Sequence, residues 1–328
     1  MRLMGIKRLL ALVGSALVVV ALAACGSSSS SSSSAGASSG SSSSSSSSAS
    51  ASGAQPGKGK PAVTIGDKNF TEEYILGNLY AQALQAKGFT VNLKSNIGSS
   101  ELTDKALTSG QIQMYPEYTG VVLSVLEGKN IHPTSAADAY TKAKAYEESR
   151  GYTLLAKTPF FDADALATLH NYAQKNGLGT IEDLKKLPSW SMAGPPENKT
   201  RYEGVVGLHQ AYGLTNLKFV PLAIGLQYDA LNKGTVNVAT VFTTDGQLQN
   251  GKYTVLADTK HIFGYQNVAP VVSKKVLSAE GPAFEQTLNA VSAKLTTHVM
   301  QQLNAAVDIE KNDPATVAKK FLQANGLA

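Results

Sequence analysis

Residues able to do covalent chemistry are few in this chain and badly spaced for it. The five histidines, His132, His170, His209, His261 and His298, stand far apart, without the short intervals that bring imidazoles onto one metal ion. Cys25 is the only cysteine, so neither a thiolate cluster nor an intramolecular disulfide is available. There is no Walker-type phosphate loop, and Gly177-Leu178-Gly179 lacks the third glycine of a dinucleotide fingerprint. No Ser/His/Asp arrangement is supported by spacing. These absences argue against an enzyme and against a metal or cofactor.

Two segments do carry chemistry suited to binding. Lys68 lies in Gly66-Asp67-Lys68-Asn69-Phe70-Thr71-Glu72, where an apolar run gives way to a helical pattern. Tyr115-Pro116-Glu117-Tyr118-Thr119-Gly120 sets two tyrosines around a rigid turn at the end of another apolar run. The carboxyl ends of strands in an open α/β sheet are the usual place for ligand contacts. A solvated turn lysine and tyrosines that merely cap a core are the plainer alternatives.

The elements that must position these residues alternate along the chain. A short strand over 62–66 precedes a helix over 72–87, with Thr71 as its N-cap and Gly88 beyond its end. Ile75, Leu76, Leu79, Tyr80, Ala83 and Leu84 recur at helical spacing and predict one apolar face. A strand over 89–93, a helix over 101–108 and a strand over 112–115 complete a βαβαβ series, which predicts parallel sheet. Further strands are expected over 153–156, 163–168, 191–193, 217–221, 236–242 and 255–257. Helices are expected over 136–149, 181–187, 205–212 and 226–233. From residue 279 the pattern is helical, with Pro314 opening the last helix.

The N-terminus speaks to location. Arg2, Lys7 and Arg8 precede an apolar stretch over 9–21, and Leu22-Ala23-Ala24-Cys25 follows, the pattern of a bacterial lipoprotein signal with Cys25 as the lipidated residue. Residues 1–24 are the expected signal peptide. Residues 25–60, rich in Ser, Gly and Ala, read as a disordered tether spanning roughly 30 to 35 Å as a random coil. The formal charge of +5 comes from 29 basic and 24 acidic residues, but Arg2, Lys7, Arg8, Lys58 and Lys60 all precede the first acidic residue, Asp67. Without those five the balance is 24 to 24, which argues against nucleic acid as a partner.

Beyond residue 61 the chain resembles the substrate-binding proteins of osmoprotectant ABC importers, the glycine betaine/choline/carnitine type. The resemblance rests on the two segments above together with Arg201-Tyr202-Glu203-Gly204, Thr243-Thr244-Asp245-Gly246, and Tyr265 followed by Ala269-Pro270-Val271-Val272, in the family's order. It implies a type II periplasmic-binding-protein fold, an α/β architecture of two lobes closing on a ligand. The expected division is 61–161 plus 266–328 for the first lobe and 162–265 for the second. It implies an aromatic box that holds a quaternary ammonium by cation-π attraction, with Tyr118 and Tyr265 as box tyrosines. Lys68 and Arg201 are implied as grips on a ligand carboxylate. The implied partners are a small solute, a permease and, through it, an ATPase, with a monomeric protein lipid-anchored on the extracytoplasmic face.

Three positions depart from the family. Asp164 stands where an aromatic is common, Phe242 where tyrosine is common, and Val121 where a hydroxyl donor is common. Phe242 keeps the ring, whereas Asp164 replaces a π face with a carboxylate. That exchange favours a cation and opposes a ligand's own carboxylate, so choline-like or hydroxylated, nearly neutral solutes are expected over glycine betaine. A non-betaine ligand on the same fold, a ligand sensor and a surface-tethered enzyme are the alternatives, the last lacking any visible nucleophile and base.

Overall fold

The computed structural model describes residues 55–128, 131 and 133–328. The signal peptide, Cys25, the tether up to residue 54 and His132 lie outside the described residues. Residues 55–60 sit against the body: Gly57 N donates to Lys87 O at 3.0 Å and Lys60 Nζ to Ala279 O at 2.8 Å.

The body holds two five-stranded sheets. The first takes β1 (Val63–Gly66), β2 (Val91–Lys94), β3 (Met114–Tyr118), β4 (Tyr152–Leu154) and β10 (Val268–Ser273), in the order β2-β1-β3-β10-β4. The second takes β5 (Asp164–Leu169), β6 (Trp190–Gly194), β7 (Leu217–Pro221), β8 (Val238–Phe242) and β9 (Tyr253–Leu256), in the order β7-β6-β8-β5-β9. Each sheet has four strands running one way and one antiparallel strand inserted next to the edge: β10 in the first and β5 in the second. The parallel pairing expected of the βαβαβ series holds for β1, β2 and β3, and the inserted strand makes each sheet a mixed one, built twice on the same plan.

β10 is the strand that the sequence pattern hides. Pro270 has no N–H and normally argues against a central strand. Here it faces Pro116 of β3 across the ladder, so the two donor-less residues share one rung, while Pro270 O accepts from Leu155 N at 3.0 Å.

The chain leaves the first sheet after β4 and returns to it in β10. The two crossing segments touch, with Phe161 bridged to Asn267 and Asp162 N donating to Gln266 O at 3.0 Å. Bending at these two paired segments is how lobes of this kind open and close.

Helix α1 (Thr71–Ala86) buries Ile75, Leu76, Leu79, Tyr80, Ala83 and Leu84 completely, against the helices Pro282–Ser292, Thr297–Asp308 and Pro314–Ala324. Burying each large aliphatic contributes about 1.5 to 3 kcal/mol, which fixes α1 and hence the loop that precedes it. The N-cap is Phe70, not Thr71. Thr71 is already helical, and its hydroxyl donates to Asp308 at 2.6 Å, tying the start of α1 to a C-terminal helix.

Candidate ligand-binding cleft

A cleft of about 550 Å³ lies between the sheets, where strand ends from both converge. Lys68, Tyr118, Asp164, Arg201 and Phe242 all line it, as does Val121. Tyr265 does not. It lines a separate cavity, where its hydroxyl donates to Thr134 O at 3.3 Å, so its assignment to the aromatic box is corrected.

The third ring of the cleft is Phe70, which the sequence analysis placed in its motif but gave no role. Its centroid is 6.3 Å from Tyr118 and 5.6 Å from Phe242, nearly parallel to the latter at 10°. Phe70 precedes α1 in the first lobe and Phe242 ends β8 in the second, so this stack spans the cleft. The N-cap position of Phe70, extended and followed by a buried helix, aims the ring there.

Both expected cationic grips are already engaged. Lys68 is 2% exposed, and its Nζ lies 2.5 Å from Glu117 Oε1 and 3.4 Å from Glu73 Oε1. The same ammonium stands 4.2 Å from the centroid of Tyr118. Burial, only partly countered by Lys68, pushes the Glu73 carboxyl up to about 8. Arg201 reaches across the cleft to Glu101 of α2 (Ser100–Thr108), with Nη2 at 2.7 Å from Oε2 and Nε at 3.2 Å from Oε1. This fork-on-carboxylate pair links the two lobes.

Asp164 opens β5 opposite Phe242 of β8, so the carboxylate and the ring share a face of the second sheet. Burial, with a contribution from Glu203 and against the pull of Arg201, raises its carboxyl to about 7. Its Oδ1 has no hydrogen-bond partner among the described residues. Asp164 thus offers the cleft a buried, uncommitted acceptor.

Beneath the rings, Glu72 gathers three donors from three parts of the chain. The Tyr118 hydroxyl donates to Oε1 at 2.7 Å, the Thr244 hydroxyl to Oε2 at 2.6 Å and Asn304 Nδ2 to Oε2 at 3.0 Å. Thr244 N also donates to Asp162 Oδ1 at 3.1 Å. Burial raises both carboxyls. Gly246, two residues after Thr244, lies so close to the helix Thr297–Asp308 that a Cβ there would stand 2.8 Å from Ala305 Cα. Ser124 and Glu203 add another hydrogen bond between the lobes. Glu72 and Glu117 both sat inside quoted motifs. Their signal was an acidic residue in an otherwise buried pattern.

Among the described residues no group of three or more histidine, cysteine or acidic side chains could hold a metal ion, and no helix is long and apolar enough to cross a membrane.

Comparison with known proteins agrees with this geometry. Residues 61–324 match the family model described as the substrate binding domain of ABC-type glycine betaine transport systems. The chain is 35% identical to a glycine-betaine-binding protein of Pseudomonas aeruginosa, over 80% of this chain and 88% of that one. It is 28% identical to a carnitine transport binding protein of Listeria monocytogenes, over 82% and 88%. A solved glycine betaine/carnitine/choline ABC transporter structure, 25% identical, superposes with a TM-score of 0.66 over 81% of this chain and 99% of that one. Two α/β lobes of the type II periplasmic-binding-protein kind, a cleft between them and a matching sequence along nearly the whole body place this chain among the substrate-binding proteins of the glycine betaine/carnitine ABC transporter family.

Proposed function

We propose that this protein is a lipid-anchored, extracytoplasmic receptor that captures a quaternary-ammonium solute without a carboxylate, choline being the simplest, and hands it to an ABC permease. Phe70, Tyr118 and Phe242 supply the ring faces, and Asp164 supplies the balancing charge. Methylated ammonium groups cannot donate hydrogen bonds, so ring faces and a nearby carboxylate are the groups that suit them. Each desolvated ring contact contributes about 0.5 to 2 kcal/mol.

The observation that carries the preference is the state of the two cations. Lys68 is held by Glu117 and Glu73, and Arg201 by Glu101, whereas Asp164 keeps a free oxygen. A ligand carboxylate must displace Glu101 and face Asp164. A plain cation leaves the Arg201–Glu101 pair intact and finds Asp164 as its counter-charge.

Cys25 supplies the anchor in this reading, residues beyond it the tether, and the closed pair of lobes the surface that a permease recognises. The body works as a monomer, with residues 61–161 and 266–328 as one jaw and 162–265 as the other. Ligand favours the closed form only through contacts that the open form lacks, and the two-lobe lining of the cleft meets that condition. Calorimetry with choline and glycine betaine tests the proposal. Choline is expected to bind more tightly, and Asp164→Ala to remove the difference. Tight glycine betaine binding that is unchanged in Asp164→Ala overturns it.

A further inference from the structure

Behind the Phe70–Phe242 stack the cleft continues into a second chamber of about 620 Å³. Phe70, Phe242 and Asp162 line both chambers and form their common wall. The far side of the second is acidic: Asp245 and Asp308 line it, with Glu72 at its base, and no lysine, arginine or histidine does.

Two further observations separate this chamber from a mere collection of carboxylates. Asn304, which lines it, is 3% exposed. Its Nδ2 is committed to Glu72 and, at 3.1 Å, to Thr244 O, which fixes the amide and leaves Oδ1 without a partner among the described residues. Gln247, on the same lining, likewise has an unpaired Oε1. A buried acceptor left unpaired keeps the cost of its desolvation, so a donor delivered there is recognised. The hydroxyls that reach the carboxylates, Thr71 to Asp308 and Tyr228 to Asp245, already donate to them. What the walls lack is a cation that donates.

We propose that this second chamber receives a protonated amine carried on the tail of the quaternary-ammonium solute, so that the protein's ligands include molecules with two cationic ends. The inference rests on the aromatic box as the site of the first end. A tail ending in a carboxylate is repelled from the same place, consistent with the preference argued for the box.

The test is calorimetry on the full-length protein in detergent, with propyltrimethylammonium as the head alone and (3-aminopropyl)trimethylammonium and its longer homologues as two-ended probes. At least one amino compound is expected to bind tenfold or more tighter than the propyl compound. Asp308→Asn and Gln247→Leu, both outside the aromatic box, are each expected to reduce that advantage severalfold while leaving propyl binding unchanged. Equal affinity for propyl and amino compounds overturns the second chamber and leaves the box standing. An advantage that persists in both variants also overturns it. Failure of every compound to bind overturns the box as well.

Discussion

The two jaws of the cleft are built on the same sheet plan yet prepare their charges in opposite ways. In the first lobe Lys68 is buried and closed on Glu117 and Glu73, and Tyr118 is tied to Glu72. In the second, Asp164 keeps a free oxygen, Arg201 reaches out of its own lobe for Glu101, and Phe242 is only partly buried. One jaw pairs its cation within itself and the other pairs its cation across the cleft. Identical topology therefore says little about where a receptor keeps its freedom to respond.

The contrast is broken most severely at Glu117. Replacing it with alanine leaves the Lys68 ammonium buried beside only Glu73, and removing one partner of a buried pair typically costs about 3 to 5 kcal/mol. Urea unfolding of Glu117→Ala should show a loss of that size. A loss under about 1 kcal/mol would mean that the first jaw is no more rigid than the second.

Binding should be hit next, from both jaws. Phe70→Ala and Phe242→Ala each remove a ring face and break the stack across the cleft, and each should weaken choline binding by roughly tenfold or more, about 1.4 kcal/mol. Calorimetry on the two variants sharpens the comparison: Phe242→Ala should leave stability nearly unchanged. If neither variant alters affinity, the rings are packing and not a site.

Acidity probes both jaws at once. Glu73 in the first is raised to about 8, and Asp164 and Asp245 in the second to about 7, in each case chiefly by burial. The folded form thus holds protons that the unfolded chain releases near the usual carboxylate range. That stability is fully present below about pH 4 and is lost as pH rises through 7 and 8. The melting temperature of the ligand-free protein should accordingly fall between pH 5 and pH 8. Choline binding should run the other way, strengthening up to about pH 7, because a cation favours ionised Asp164. In Asp164→Asn that slope should flatten and affinity at pH 8 should drop by roughly threefold to tenfold.

The smallest effect is expected at Arg201. Its partner Glu101 is 46% exposed, and ion pairs with that much solvent contribute about 0 to 1 kcal/mol. Arg201→Ala should barely change unfolding. It should instead raise the open population seen by small-angle scattering.

Much of this was legible in the sequence, and the exceptions have physical causes. The apolar stripe of α1 is correct at every position named, because helical periodicity reports burial directly. Five of the six expected cleft residues line the cleft. Tyr265 fails because a tyrosine beside a crossing can turn toward either side of it, which spacing does not encode. Phe70 was missed since an aromatic before a helix reads equally as a hydrophobic cap. Strand β10 was missed at Pro270, where the local rule is overridden by a second proline placed opposite. The pairs Lys68–Glu117 and Arg201–Glu101 were invisible, for they join residues 49 and 100 positions apart.

Glu72 holds the hydroxyl of Tyr118, a threonine of the opposite jaw and an asparagine of a C-terminal helix on two oxygens. A ring that shifts must pull on the same carboxyl that Thr244 of the other jaw is holding. Occupancy and shape then become one message. A permease that feels only the outer surface can learn from it whether the receptor is loaded.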